Sequence, residues 1–180
     1  KQGSLDAAAA KAVPGVQVVQ EGDLVAVLSE QYDLAQDALR KVKAEWDTPT
    51  SGVDDKNIFD HLVRTAGQPR GGVRGGDLAA GEKASAQVFD EKYTNAYVAH
   101  MPMEPHTATV QIEGKKATVW ASTQRPFGCR DEVAEALGEG FTVRHIAPYV
   151  GGGFGGKSRN QQATEAARLA KATGKPVQVA

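Results

Sequence analysis

Tyr149-Val-Gly-Gly-Gly-Phe-Gly-Gly-Lys157-Ser158 is the stretch that decides how this chain is read. Glycine reaches positive φ without steric cost, so a dense glycine run lets the backbone turn sharply and approach another group closely. Successive N–H groups in such a turn form a concavity that holds anions. Two nucleotide patterns overlap in these residues. Gly151, Gly156, Lys157 and Ser158 satisfy G-x-x-x-x-G-K-[ST], and Gly151, Gly153 and Gly156 satisfy G-x-G-x-x-G. Phe141 to Ile146, just before the stretch, reads as a strand. A helix is expected after it, from about Asn160 to Thr173, closed by Gly174 and Pro176.

Neither nucleotide pattern is completed downstream. A phosphate-loop enzyme orders its Mg²⁺ with an Asp at the end of a later strand, and no Asp follows Ser158. That partner could still lie beyond Ala180, so a nucleotide hydrolase using Gly151 to Ser158 stays open. The dinucleotide fold needs an acidic residue about 20 positions past its glycines, where this chain has Lys171-Ala-Thr-Gly-Lys175. A third reading is a non-catalytic assembly domain whose glycine loop packs on a partner. The local chemistry favours an anionic cofactor.

Working outward, Ala108 to Ile112 and Ala117 to Ala121 flank Glu113-Gly114-Lys115 and predict a hairpin. Pro126 opens a helix that runs to Gly138. Ala84 to Asn95 alternates and predicts a long strand. Thr48 to Asp54 is a linker, after which Asp54 or Asp55 caps a helix carrying Ile58, Phe59, Leu62 and Val63. Gln68 to Gly81, with Arg70 and Arg74 among glycines, reads as a polar loop. The first 47 residues give a helix (Leu5 to Ala12), strands (Val16 to Val19, Leu24 to Leu28), a helix (Gln31 to Arg40) and a strand (Lys41 to Trp46). Val42, Ala44 and Trp46 form one half-buried side of that last strand. The fold class is α+β. Residues 1–47 are expected to be the end of a small α+β domain, 48–83 a linker with a short helix, and 84–180 the first part of a second domain.

The 180 residues are 41% hydrophobic and 24% charged, as in a globular domain. A net charge of -1 gives no electrostatic case for nucleic acid. No apolar run approaches a membrane span. One cysteine, Cys129, allows neither an internal disulfide nor a cysteine set for an iron–sulfur cluster. The missing initiator Met and the strand-like last residues lead us to expect a piece of a longer chain. Glu104, between Met103 and Pro105, reads as a loop-ordering residue rather than an acid catalyst. His100 and His106 read as structural, Cys129 as a small half-buried side chain, and Lys157 as a surface or supporting cation.

Two further segments narrow the cofactor. Tyr97-Val-Ala-His-Met-Pro-Met-Glu-Pro-His106 and Trp120-Ala-Ser-Thr-Gln124 precede the glycine stretch. Together the three resemble the A-H-x-P-M-E-P, W-x-x-T-Q and G-G-G-F-G-G-K segments of molybdopterin-binding large subunits of the xanthine oxidase family. With Lys41 to Asp47 and Cys129 to Glu135, the chain is most similar to the isoquinoline 1-oxidoreductase β-subunit branch, over nearly its whole length. The resemblance implies a hammerhead-like small unit followed by part of a molybdopterin-binding domain. It implies molybdopterin with molybdenum, or its cytosine dinucleotide form, and a partner subunit carrying iron–sulfur clusters. Gln124, Gly153, Phe154, Gly155 and Gly156 would hold the cofactor, with Phe154 and Ser158 in the substrate pocket. Purine-oxidising members carry Glu where this chain has Ser158, which points to a heteroaromatic or aldehyde substrate hydroxylated with water. The family's general-base Glu matches no position here and is expected beyond Ala180, so this piece alone should be inactive. The resemblance fits an envelope or periplasmic location as well as a cytoplasmic one.

Overall fold

The computed structural model describes residues 2–68 and 75–180, so Arg70 and Arg74 of the expected polar loop lie outside the described residues. Two compact units form, one of Lys1–Asp47 with Ala99–Ala180, the other of Thr48–Val98.

In the first unit the chain begins with strand β1 (Gln2–Asp6), helix α1 (Ala8–Lys11), strands β2 (Gln17–Glu21) and β3 (Leu24–Leu28), helix α2 (Tyr32–Leu39) and strand β4 (Lys43–Trp46). β2 and β3 form an antiparallel hairpin whose turn holds Gly22 at φ 59°. The helix expected from Leu5 is shorter. Leu5 pairs with Ala44 across the antiparallel β1–β4 ribbon, and the Asp6 carboxylate accepts the Ala8 N–H at 2.9 Å. Strand pairing overrides alanine propensity until Ala8. All four β4 residues are exposed rather than half-buried, because the ribbon is two-stranded and Trp46 is 63% exposed.

The same unit resumes with β5 (Ala108–Glu113), β6 (Lys116–Ala121), α5 (Pro126–Leu137), β7 (Thr142–Ile146), α6 (Gln161–Thr173) and β8 (Val177–Val179). The sheet order is β7-β6-β5-β8, with β6 and β7 parallel and the other pairs antiparallel. Ala108 and Val110 of β5 and Ala117, Val119 and Ala121 of β6 alternate inward, as the pleat requires. They meet Cys129, Val133 and Leu137 of α5 and Ala163, Ala166, Ala167, Leu169 and Ala170 of α6. The alanines recur at helical spacing and let α6 approach the sheet closely. Val19, Leu24, Ala26 and Leu28 of the hairpin pack on this core. Arg168 fastens the hairpin there, donating to the Glu21 carboxylate (2.9 Å), the Glu21 carbonyl (2.6 Å) and Asp23 (3.0 Å).

Among the described residues the second unit contains two helices, α3 (Ile58–Thr65) and α4 (Leu78–Ala84), neither of which buries a side chain. The expected polar loop thus gives way at Leu78 to a helix capped by Asp77, whose carboxylate accepts the Ala80 N–H at 3.0 Å. Asp54 accepts from Lys56 and Asn57, both at 3.0 Å, one turn before the first of these helices. The strand expected over Ala84 to Asn95 does not form, since no described segment pairs with it.

Candidate functional site

Trp120 is aligned with Ile146, so β6 and β7 end side by side. The segments after two parallel strands then converge, the usual place for a ligand site in such a sheet. Here they are Thr123-Gln124 and the glycine stretch. The Gln124 N–H donates to the Lys157 carbonyl at 2.9 Å, and the Gln124 side-chain oxygen accepts the Gly155 N–H at 2.9 Å. That acceptor role orients the amide and leaves its NH₂ as the end free to donate. The buried Thr123 hydroxyl lies 2.6 Å from Asn160 Oδ1 and 3.1 Å from the Lys157 carbonyl, and it accepts the Arg125 N–H at 3.0 Å. Arg125 Nη1 in turn donates to the Ser158 carbonyl at 3.0 Å. The amide of Asn160, also buried, donates to Glu132 at 2.9 Å.

The glycines are required by close approach. A Cβ on Gly153 would stand 2.6 Å from Gln124 Oε1, and one on Gly151 would stand 2.8 Å from the Glu104 Cβ. Gly155 sits at φ 105°, and its Cβ would meet His100 Nε2 at 3.1 Å. Between them Phe154 adopts φ 54°, a conformation uncommon for a bulky residue, and is 73% exposed. Gln124, Gly153, Phe154, Gly155 and Gly156 are therefore brought together, with half-buried Ser158 at the end of the same turn.

Lys157 is neither a surface cation nor a phosphate ligand. Its side chain is 0% exposed, and its ammonium donates to Glu104 Oε2 at 2.5 Å. The same oxygen accepts the Gly151 N–H at 2.6 Å and the Ser122 hydroxyl at 2.9 Å. These donors, the Lys157 ammonium first, hold the Glu104 carboxyl below its usual range against the opposing effect of burial. The nucleotide-hydrolase reading fails here, because its essential amine is occupied. Lys157 and Ser158 also lie in a separate 3₁₀ turn, Gly156–Ser158, rather than in the first turn of α6. Sequence reasoning saw Glu104 as loop-ordering but missed its partner 53 residues away.

His100 and His106 join no metal-binding group among the described residues. Cys129 is buried rather than half-buried, and burial, helped by the Glu132 charge, pushes its thiol up to about 11. Burial lowers His145, partly offset by its contact with the Ala121 carbonyl. A cavity of about 760 Å³ lies away from this corner, between Val27–Tyr32 and Thr173–Gln178.

The N–H groups of Gly152, Gly153 and Phe154 make no hydrogen bond to any described residue. Gly153 is itself buried, and an internally unpaired N–H on a buried residue is uncommon. With the Gln124 NH₂, the corner offers a neutral, donor-rich set. Such a set fits an acceptor-rich anionic group and supplies no side chain that would ligate a metal directly.

Comparison with known proteins agrees. The model of the molybdopterin cofactor-binding domain matches residues 62–180. The aldehyde oxidoreductase molybdenum-binding subunit PaoC of Escherichia coli is 40% identical over 106 residues, 58% of this chain and 14% of that protein. The nicotinate dehydrogenase large molybdopterin subunit of Eubacterium barkeri is 30% identical over 91% of this chain and 40% of its own length. Quinoline 2-oxidoreductase from Pseudomonas putida 86 shares the fold with a TM-score of 0.68 at 23% identity, over 98% of this chain and 28% of that one. The chain thus spans less than half the length of these relatives. No described helix is long and apolar enough to cross a membrane. From its glycine corner to its matched domain, the chain belongs to the molybdopterin cofactor-binding domain family, among the molybdenum-binding subunits of the xanthine oxidase group.

Proposed function

We propose that this chain is the cofactor-holding part of a molybdenum hydroxylase acting on a heteroaromatic or aldehyde substrate, with water as the oxygen source. The observation that carries the reading is the Gln124–Gly155 hydrogen bond, which joins two segments 31 residues apart into one donor surface. Gln124 holds the cofactor through its free NH₂ and Gly153 and Phe154 through backbone N–H groups, while Gly155 and Gly156, whose own N–H groups bond Gln124 and Gly153, let the loop lie close to it, all without adding charge. Phe154, exposed beside them, shapes the apolar wall against which a flat substrate rests. Ser158 contributes a neutral hydroxyl where a carboxylate would favour purines. Its backbone is fixed by Arg125. When bound, the molybdenum cofactor supplies two-electron redox chemistry.

We assign none of this chain's carboxylates as the general base, because Glu104 is committed to three donors. By itself the chain is expected to be inactive. Electrons leave to a partner subunit with iron–sulfur clusters, and the pterin is molybdopterin or its cytosine dinucleotide form. Within the family, the isoquinoline 1-oxidoreductase branch is the nearest functional match we propose. The names of the nicotinate and quinoline enzymes support a nitrogen heterocycle, and that of PaoC supports an aldehyde.

The test is molybdenum analysis, with pterin fluorescence after acid release, on the protein purified with its co-purifying subunits. Stoichiometric molybdenum and a pterin signal are expected. Both should fall sharply in Gln124→Ala and Gly155→Val. Unchanged molybdenum content and turnover in both variants would sink the reading.

A further inference from the structure

We propose that the ion pair between buried Lys157 and half-buried Glu104 is a positioning device that sets the Gln124 amide against Gly155; this rests on the reading of Gln124 as a cofactor-holding residue. A fully buried lysine is rare, because a well-packed apolar side chain of similar size fills the same space at no electrostatic cost. The pair therefore calls for a reason beyond stability, and its connections supply one. Glu104 Oε2 grips both sides of the Gln124–Gly155 joint. On one side it accepts from Ser122, two residues before Gln124. On the other it accepts from Gly151 and Lys157, which bracket Gly155. Lys157 then closes the ring through its own main chain, because its carbonyl accepts the Gln124 N–H at 2.9 Å. One carboxylate oxygen thus fixes three strands of chain, the segment around Glu104, the turn after β6 and the glycine loop. Neither Lys157 nor Glu104 is assigned a contact with the cofactor, so the two act through Gln124 and Gly155.

Amide hydrogen exchange on the intact protein reads this directly. In Glu104→Gln the amide oxygen keeps the acceptor site but leaves the buried ammonium without its counter-charge. The Gln124 and Gly155 amides are expected to exchange roughly tenfold faster, while the Ala166 to Ala170 amides of α6 stay within about threefold of the parent. Molybdenum content should fall alongside. A uniform rise that includes α6 would make the pair an ordinary stabiliser and overturn the proposal. Unchanged exchange at Gln124 and Gly155, or faster exchange there with full molybdenum retention, would overturn it too. If Glu104→Gln does not fold, the double variant Glu104→Leu/Lys157→Met removes both charges together, and the same local loosening is expected. Parent-like protection at Gln124 in that variant would refute the device. Molybdenum absent from the unsubstituted protein is a separate result: it would remove the cofactor reading while leaving the exchange pattern to report on the joint.

Discussion

The sheet–helix core and the glycine corner are neighbours in one unit, yet they bury opposite chemistries. The core is built from alanine, valine, leucine and one cysteine. The buried polar and charged side chains among the described residues, Ser122, Thr123, Lys157 and Asn160, all belong to the corner. Each buried side-chain polar atom described has a hydrogen-bond partner. Apolar packing is non-directional and rewards filled volume. Hydrogen bonds reward distance and angle, and add little net stability once lost water contacts are counted. The contrast implies a division of labour in which the core holds the fold up and the corner holds atoms at fixed positions.

The strongest challenge to that division is Leu169→Ala. Leu169 is 2% exposed in the face of α6 that meets the sheet, so its truncation should cost about 2–5 kcal/mol, read by urea unfolding. Amide protection at Gln124 and Gly155 should fall only as far as the global stability does. Selective loosening of the corner would break the separation.

Cys129 probes the seam. It lies in the core, and its thiol feels the charge of Glu132, which also binds Asn160 in the corner. The folded thiol ionises at about 11 against an ordinary 9.0. For an acid held neutral by folding, the unfolded chain loses its proton first. The contribution is therefore fully present below pH 9 and drains away as pH rises from about 9 to about 11, at up to about 1.4 kcal/mol per unit. Cys129→Ala should flatten this alkaline limb, as followed by unfolding at a series of pH values. An unchanged slope would mean that other groups control it.

The same contrast explains what was legible in the sequence. The β5–β6 hairpin, α5 and α6 were readable because each carries its own signal: Gly114 in the turn, Pro126 at a helix start, Gly174 after a helix end. Such signals act within a few residues. β1 was hidden because Gln-Gly-Ser-Leu-Asp has no apolar alternation, and its partner strand begins only at Lys43. In the corner, the motifs pointed to Gln124 and to Gly153 through Gly156, and these residues do converge. The burial of Lys157 was not readable. A lysine beside glycines looks exposed until the chain folds back through Glu104, and nothing within one turn of Lys157 encodes that return.

Gly153→Ala should have the smallest effect on stability and separates the two regions most cleanly. Gly153 has no positive φ, so alanine suits its backbone and reduces the freedom of the unfolded chain, worth about 0.4–1 kcal/mol. Against this, the new Cβ would lie 2.6 Å from Gln124 Oε1 and 2.9 Å from its Cδ. Those atoms are the end of an exposed, flexible side chain, which can swing away and give up the Gly155 N–H. Losing one exposed hydrogen bond costs about 0.5–1.5 kcal/mol, so the net change in unfolding free energy should be within about 1 kcal/mol of zero. The amide that the corner holds in place would nevertheless be displaced. The expected result is near-parental urea unfolding with a clear loss of molybdenum from the purified protein. Were stability and molybdenum to fall together, the corner would be part of the fold's support, and the division between packing and positioning would not hold.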